Sequence, residues 1–127
     1  MREVTTKTLK PLQIRFDDYG AGDDNEFKYE LIVLMTGSMR ELKLAARNAI
    51  ELGGADNLKR AIHKSKSTLT LINDDELMDA VNDLSHAMAQ PEKTGGHISE
   101  VLARFNIVCD SIIDSLEQTS DSFRSKF

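Results

Sequence analysis

Along most of this chain apolar residues recur at spacings of three and four, the period of helices buried on one side. From about Asn25 to Leu52, the residues Ile32, Met35, Met39, Leu42, Ala46 and Ala49 form a continuous seam, and Phe27, Leu31 and Leu34 widen it at its N-terminal half. Gly37 costs roughly 1 kcal/mol against alanine there without breaking the period. Gly53-Gly54 then predicts a left-handed stop. A second helix is predicted to run unbroken from Ala55 or Asp56 to about Ile72, with Leu58, Ile62, Ser65, Leu69 and Ile72 on its buried side. Asn73, tolerant of the left-handed conformation, ends it. Asn73-Asp74-Asp75-Glu76 reads as a capping box for a third helix over about 74–90, whose face is Leu77, Met78, Val81, Leu84 and Met88. Pro91 closes that helix, and Pro91 to Gly96 reads as a loop. The last pattern runs from about His97 to Phe123 on Ile98, Val101, Leu102, Phe105, Val108, Ile112 and Leu116, and the polar stretch Ser120–Phe127 is predicted to fray.

Residues 1–22 carry less pattern. Leu9, Leu12, Ile14 and Phe16 suit a short helix or an extended arm laid on the rest, with Pro11 preventing a long helix. Asp17 to Asp24 reads as a loop ending in a carboxylate that caps the helix after it. Together these elements predict an all-α chain: an up-down antiparallel four-helix bundle over residues 23–127, with the N-terminal arm or short helix added to it.

Composition narrows the class. With 127 residues, 40% hydrophobic and 29% charged, the chain has enough apolar surface for one core. No apolar run approaches the roughly 18 residues of a membrane span, and the first residues lack the apolar region of a signal peptide. Cys109 is the single cysteine, so no intrachain disulfide forms. A cytoplasmic location away from the membrane is the expectation. The net charge of −5 argues against nucleic acid as a partner. The cluster Lys59, Arg60, Lys64 and Lys66 is a local exception to that acidity.

Inside this cluster lies His63. At 100° per residue, Lys59, Lys66, Ser67 and Thr70 fall within about 60° of His63 on a helix, with Arg60 at the edge of the stripe. The imidazole is therefore presented on a polar, basic, small-residue face backed by an apolar one. Imidazole is in large part a neutral nucleophile at neutral pH and can carry a phosphoryl group. Lys66, one turn on, supplies a matching cation, with charge-assisted hydrogen bonds worth about 1.5–3 kcal/mol each when well placed. Ser67 is small and leaves room for another protein's active site. Lys59, Arg60, Lys64 and Thr70 are the candidate partner-binding residues, the cations drawing in an acidic site.

The segment His63, Lys66, Ser67, Thr68 resembles the His-x-x-Lys-Gly-Ser signature of histidine phosphotransfer (HPt) domains. Its surroundings are similar as well: a long helix ending in Gly-Gly, the run Asn57-Leu58-Lys59-Arg60-Ala61-Ile62 leading into the histidine, a helix stop at Asn73, a short acidic turn and a Leu-rich helix. The resemblance spans about residues 25–118. It implies a four-helix bundle that accepts phosphate on His63 from a receiver aspartate or a kinase and passes it to another receiver in a two-component phosphorelay. It also implies the Nε2 atom as the phosphorylated one, a receiver domain of a response regulator or hybrid kinase as the partner, and no cofactor of its own, magnesium being supplied at the receiver. The chain departs from the family at Ser65, usually an aliphatic residue, at Ser67, usually glycine, and at Asn73, in place of a helix-ending glycine.

Other readings have less behind them. A bundle that has lost the chemistry and only binds a partner through Lys59–Lys66 is the main alternative. A metal site is not expected, because no Glu-x-x-His or His-x-x-x-His pair unites His86 and His97, which read as surface or loop residues. Met35, Met39, Met78 and Met88 read as core fillers, and Cys109 as a buried structural thiol. No Gly-rich phosphate loop points to ATP, and no strand–helix alternation points to a receiver. The expectation is a phosphocarrier that acts with partner proteins and is not an enzyme on its own.

Overall fold

The computed structural model describes residues 12–89 and 97–126, with the side chains of Asp18, Tyr19 and His97 outside that set. Leu9, Pro11 and the predicted Pro91–Gly96 loop also lie outside it. Among the described residues the chain is all-α: a 3-10 turn, Phe16–Tyr19, precedes the helices α1 (Asn25–Leu52), α2 (Ala55–Lys64), α3 (Lys66–Ile72), α4 (Asp75–Ala89) and α5 (His97–Arg124). No helix among these residues is long and apolar enough to cross a membrane.

The start and stop signals operate largely as their chemistry dictates. Asp24 accepts a hydrogen bond from the Phe27 amide at 3.0 Å and so satisfies one of the first-turn donors of α1. Gly53 takes φ 75°, ψ 44°, and the Gly54 amide donates to the Ala49 carbonyl at 2.8 Å, which closes the end of α1 in a Schellman turn. Asn73 adopts φ 55°, ψ 48° and ends α3. The capping box differs. With Asn73 used as the left-handed stop, the cap of α4 passes to Asp74, whose Oδ2 accepts from the Leu77 amide at 2.9 Å.

The predicted second helix is not continuous. Ser65, φ −88° and ψ 1°, separates α2 from α3. Its amide is shared between the Ala61 carbonyl at 3.0 Å and the Ile62 carbonyl at 3.2 Å, a local tightening, and the helical pattern resumes with the Leu69 amide on the Ser65 carbonyl at 2.9 Å. Serine is a weak helix former, and here it stands on the buried side, only 4% exposed, where no branched side chain anchors the turn.

One continuous core joins the helices. Ile32, Met35, Met39, Leu42 and Ala46 of α1 pack with Leu58 of α2, Leu69 and Ile72 of α3, Leu77, Val81 and Leu84 of α4, and Phe105, Ile112 and Leu116 of α5. The most extensive helix pairing is α1 with α5, then α4 with α5; α2 packs on α1 and more lightly on α4. Arg40 pairs with Glu117 and Lys43 with Asp110, so α1 and α5 run in opposite directions. Glu41 beside Lys64 and Ser38 beside Ser65 show that α1 and α2 also run in opposite directions.

Two expected core positions lie outside it. Leu34 is 70% exposed and Met78 is 37% exposed. Each follows the seam by a residue or two and is carried round to the outer side at 100° per step. In α4 the place next to Leu77 and Leu84 is taken by Ala80 and Ala87, both buried.

The C-terminal stretch does not fray at Ser120. Helix α5 continues to Arg124, with Phe123 edge-on to Phe16 at 5.6 Å between ring centroids. Lys28 lies 5.5 Å and 5.6 Å from the centroids of these two rings. An aromatic pair with a cation over it gives this last turn a tertiary anchor that its polar composition does not reveal. The N-terminal segment is held at the same end of the molecule: Leu12, Ile14 and Phe16 rest on the core, and the Arg15 amide donates to the Leu71 carbonyl at 2.9 Å.

Candidate functional site

His63 lies in the last turn of α2 and its side chain is exposed. The opposite side of the same helix pair is fixed in the core by Leu58, Leu69 and Ile72, each 3% exposed or less. Burial on that side leaves the His63 face to solvent, and with it Lys59, Arg60, Lys66, Ser67 and Thr70, all exposed. The predicted site residues therefore share one outer surface. The break at Ser65 assigns them to two segments: Lys59, Arg60, His63 and Lys64 to α2, Lys66, Ser67 and Thr70 to α3.

Each side chain has a local reason for its position. Arg60 donates from Nη2 to Asn57 Oδ1 at 3.2 Å, which holds it along α2. Lys64, 100° from His63 on the α1 side, reaches Glu41 with 3.4 Å between Nζ and Oε1. That pair is open to water and contributes little to stability. Its effect is to draw the Lys64 charge toward α1, away from the centre of the His63 face.

The α1 edge of the surface was not foreseen from the sequence. Ser38 and Glu41 meet α2–α3 there. Leu34 stands one turn before Ser38, and at Gly37 a Cβ would meet nothing within 4 Å. Periodicity within α1 could have shown Ser38 and Glu41 to be off the seam. It could not show which helix they face, because that depends on packing between residues far apart in sequence.

The other candidates lie elsewhere or do nothing chemical. His86 is exposed on α4, and His97 begins α5. Asp83, near His86 in sequence, is engaged by Arg104 at 2.7 Å. Among the described residues no group of three or more histidine, cysteine or acidic side chains could hold a metal ion. Cys109 is fully buried in α5. Burial pushes its thiol up to about 12, the Lys43 charge opposing and Asp110 adding to the effect, so it is a packed thiol and not a nucleophile.

The arrangement offers an accessible imidazole and several cations on the outer face of α2–α3. It suits a group-carrying surface that meets the active site of another protein. Comparison with protein-family models, curated proteins and solved structures gives no match for this chain.

Proposed function

We propose that this chain is a histidine phosphotransfer protein: His63 accepts a phosphoryl group from the aspartyl phosphate of a receiver domain, or from a kinase, and hands it to another receiver. The architecture in this reading is an up-down antiparallel four-helix bundle, α1, α2–α3, α4 and α5, acting in the cytoplasm. The single observation that carries it is the presentation of His63, exposed in the last turn of α2 with the opposite side of α2–α3 anchored in the core. A carrier histidine has to enter a partner's active site, and it has to be held while it does so.

In the transfer, the imidazole Nε2 attacks phosphorus as the acyl-phosphate P–O bond breaks and the aspartate leaves as a carboxylate. A P–N bond to His63 forms. The receiver supplies the magnesium ion and most of the charge stabilisation. Lys66 provides a cation beside the transferred group, and Ser67 leaves space for the receiver. Lys59, Arg60 and Lys64, with Thr70, form the basic docking surface, whose charge is opposite to that of a receiver's acidic pocket. The chain is a phosphocarrier in this reading and not an enzyme by itself.

The test is transfer from a phosphorylated receiver domain, followed by loss of label from the receiver. Wild type is expected to discharge the receiver, His63→Gln to leave it charged, and Lys66→Ala to slow the exchange by about tenfold or more, the equivalent of one charge-assisted hydrogen bond. Equal discharge by wild type and His63→Gln contradicts the proposal.

A further inference from the structure

Along the groove between α1 and α5 the charges that line it are sorted by helix, with Arg47 also paired to Glu51 of its own helix at 3.4 Å. Helix α1 presents Arg40, Lys43 and Arg47, and α5 presents Asp110, Asp114 and Glu117, along one shallow groove of about 570 Å³. Within the chain Arg40 already pairs with Glu117 and Lys43 with Asp110, and these side chains remain substantially exposed. Two aliphatic residues stand in the same region: Leu44, 58% exposed, next to Lys43, and Ile107, 69% exposed, one turn before Asp110. A basic helix, an acidic helix and an exposed leucine and isoleucine make a surface that is complementary to itself.

We infer that this α1–α5 face binds a second copy of the same chain in a two-fold dimer, with α1 of each protomer lying on α5 of the other. The charges select the symmetry. A two-fold axis across the helices sets α1 on α1 and α5 on α5, bringing cations to cations and carboxylates to carboxylates. An axis parallel to the helices sets α1 on the partner's α5 and keeps each residue near its own level. Each ion pair within a chain then becomes part of a four-charge arrangement, and Leu44 comes within about one turn of the partner copy's Ile107. Helices α2 and α3 are not part of this face, so the surface that carries His63 stays open in the dimer. The inference therefore does not depend on phosphotransfer.

The sorting of charge provides a test by exchange. Arg40→Glu with Lys43→Glu makes the face predominantly acidic, with Arg47 remaining; Asp110→Lys with Glu117→Lys makes it predominantly basic, with Asp114 remaining. The lost pairs within each chain are exposed and affect folding little, which circular dichroism of each variant verifies. Sedimentation of the wild type is expected to show a dimer that weakens as salt is raised. Each double variant alone is expected to be a monomer, and an equal mixture of the two is expected to recover a one-to-one dimer. A wild type that stays monomeric at about 1 mM, where even weak association registers, overturns the inference. So does a dimer that survives in both variants, or a mixture of folded variants that stays monomeric. If a variant fails to fold, Leu44→Ser with Ile107→Ser replaces it, and an undiminished dimer in that variant overturns the inference.

Discussion

Ser38 and Ser65 meet between α1 and the α2–α3 break, their hydroxyl oxygens 3.5 Å apart. Two serines face one another where two apolar side chains would be the ordinary content of a helix seam. The contact is too long to contribute much as a hydrogen bond. It marks the point, two residues past His63, where the helix tightens and then resumes.

Substitution at Ser65 reports on how closely that point is packed. Ser65→Ala keeps the volume and removes only a long contact, so stability is expected to change by less than about 1 kcal/mol. Ser65→Leu must fit a large side chain into a buried position and is expected to cost about 1–3 kcal/mol. Urea denaturation of the two variants measures both, and a gain in stability for Ser65→Leu contradicts the close contact.

The turn from α3 to α4 assigns separate tasks to neighbouring residues. Asp74→Ala removes the acceptor for the Leu77 amide and is expected to cost about 0.5–2 kcal/mol. Asn73→Gly is expected to be tolerated, since glycine takes the left-handed conformation freely, whereas Asn73→Val forces a branched residue into it at about 1–2 kcal/mol. Thermal unfolding of the three variants distinguishes these effects. A loss for Asn73→Gly as large as that for Asn73→Val contradicts the assignment of a backbone role.

Cys109 makes stability depend on alkaline pH. Burial raises its thiol from 9.0 to about 12 in the folded chain. The unfolded chain therefore releases this proton first as pH rises. The stabilising contribution is fully present below pH 9 and is lost progressively as pH rises toward 12. Unfolding free energy measured across that window is expected to fall more steeply for wild type than for Cys109→Ala. Equal slopes contradict the desolvation of this group, as does fast thiol alkylation in the folded protein.

The last turn of α5 and the N-terminal segment are expected to loosen together. Phe123→Ala removes the edge-on contact with Phe16 and one of the two rings near Lys28. The side chain is only part buried, so the cost is expected to be about 1–3 kcal/mol, below that of a core phenylalanine. Hydrogen exchange is expected to rise both in the last turn of α5 and at the Arg15 amide, which donates to Leu71. A change confined to α5 contradicts the coupling.

These elements also show what was legible in the sequence. The bounds of α1 could be read because a long seam, a capping aspartate and a glycine pair all mark the same two ends. The outward face of His63 could be read because its opposite, Leu58, Leu69 and Ile72, is strongly periodic. The break at Ser65 could not, since one serine in a helical pattern does not announce whether its turn continues. The persistence of α5 beyond Ser120 could not either: it rests on Phe16, more than a hundred residues away in the chain. Leu34 and Met78 were misassigned because each is close enough to an apolar seam to join it by spacing, and only the packing of neighbouring helices decides which side is covered. Glu41 and Ser38 entered the site by the same long-range route.

Mapping the modified atom tests the proposed phosphorylation of His63 most directly. Wild type would be incubated with a phosphorylated receiver and magnesium, kept at alkaline pH, and examined by tandem mass spectrometry and phosphorus NMR. The expected result is one acid-labile phosphoramidate on the His63 imidazole, absent from His63→Gln with unchanged helicity. A failure to acquire phosphate from any of a panel of receivers and kinases, or a phosphate located at His86, His97 or a hydroxyl side chain, would contradict it.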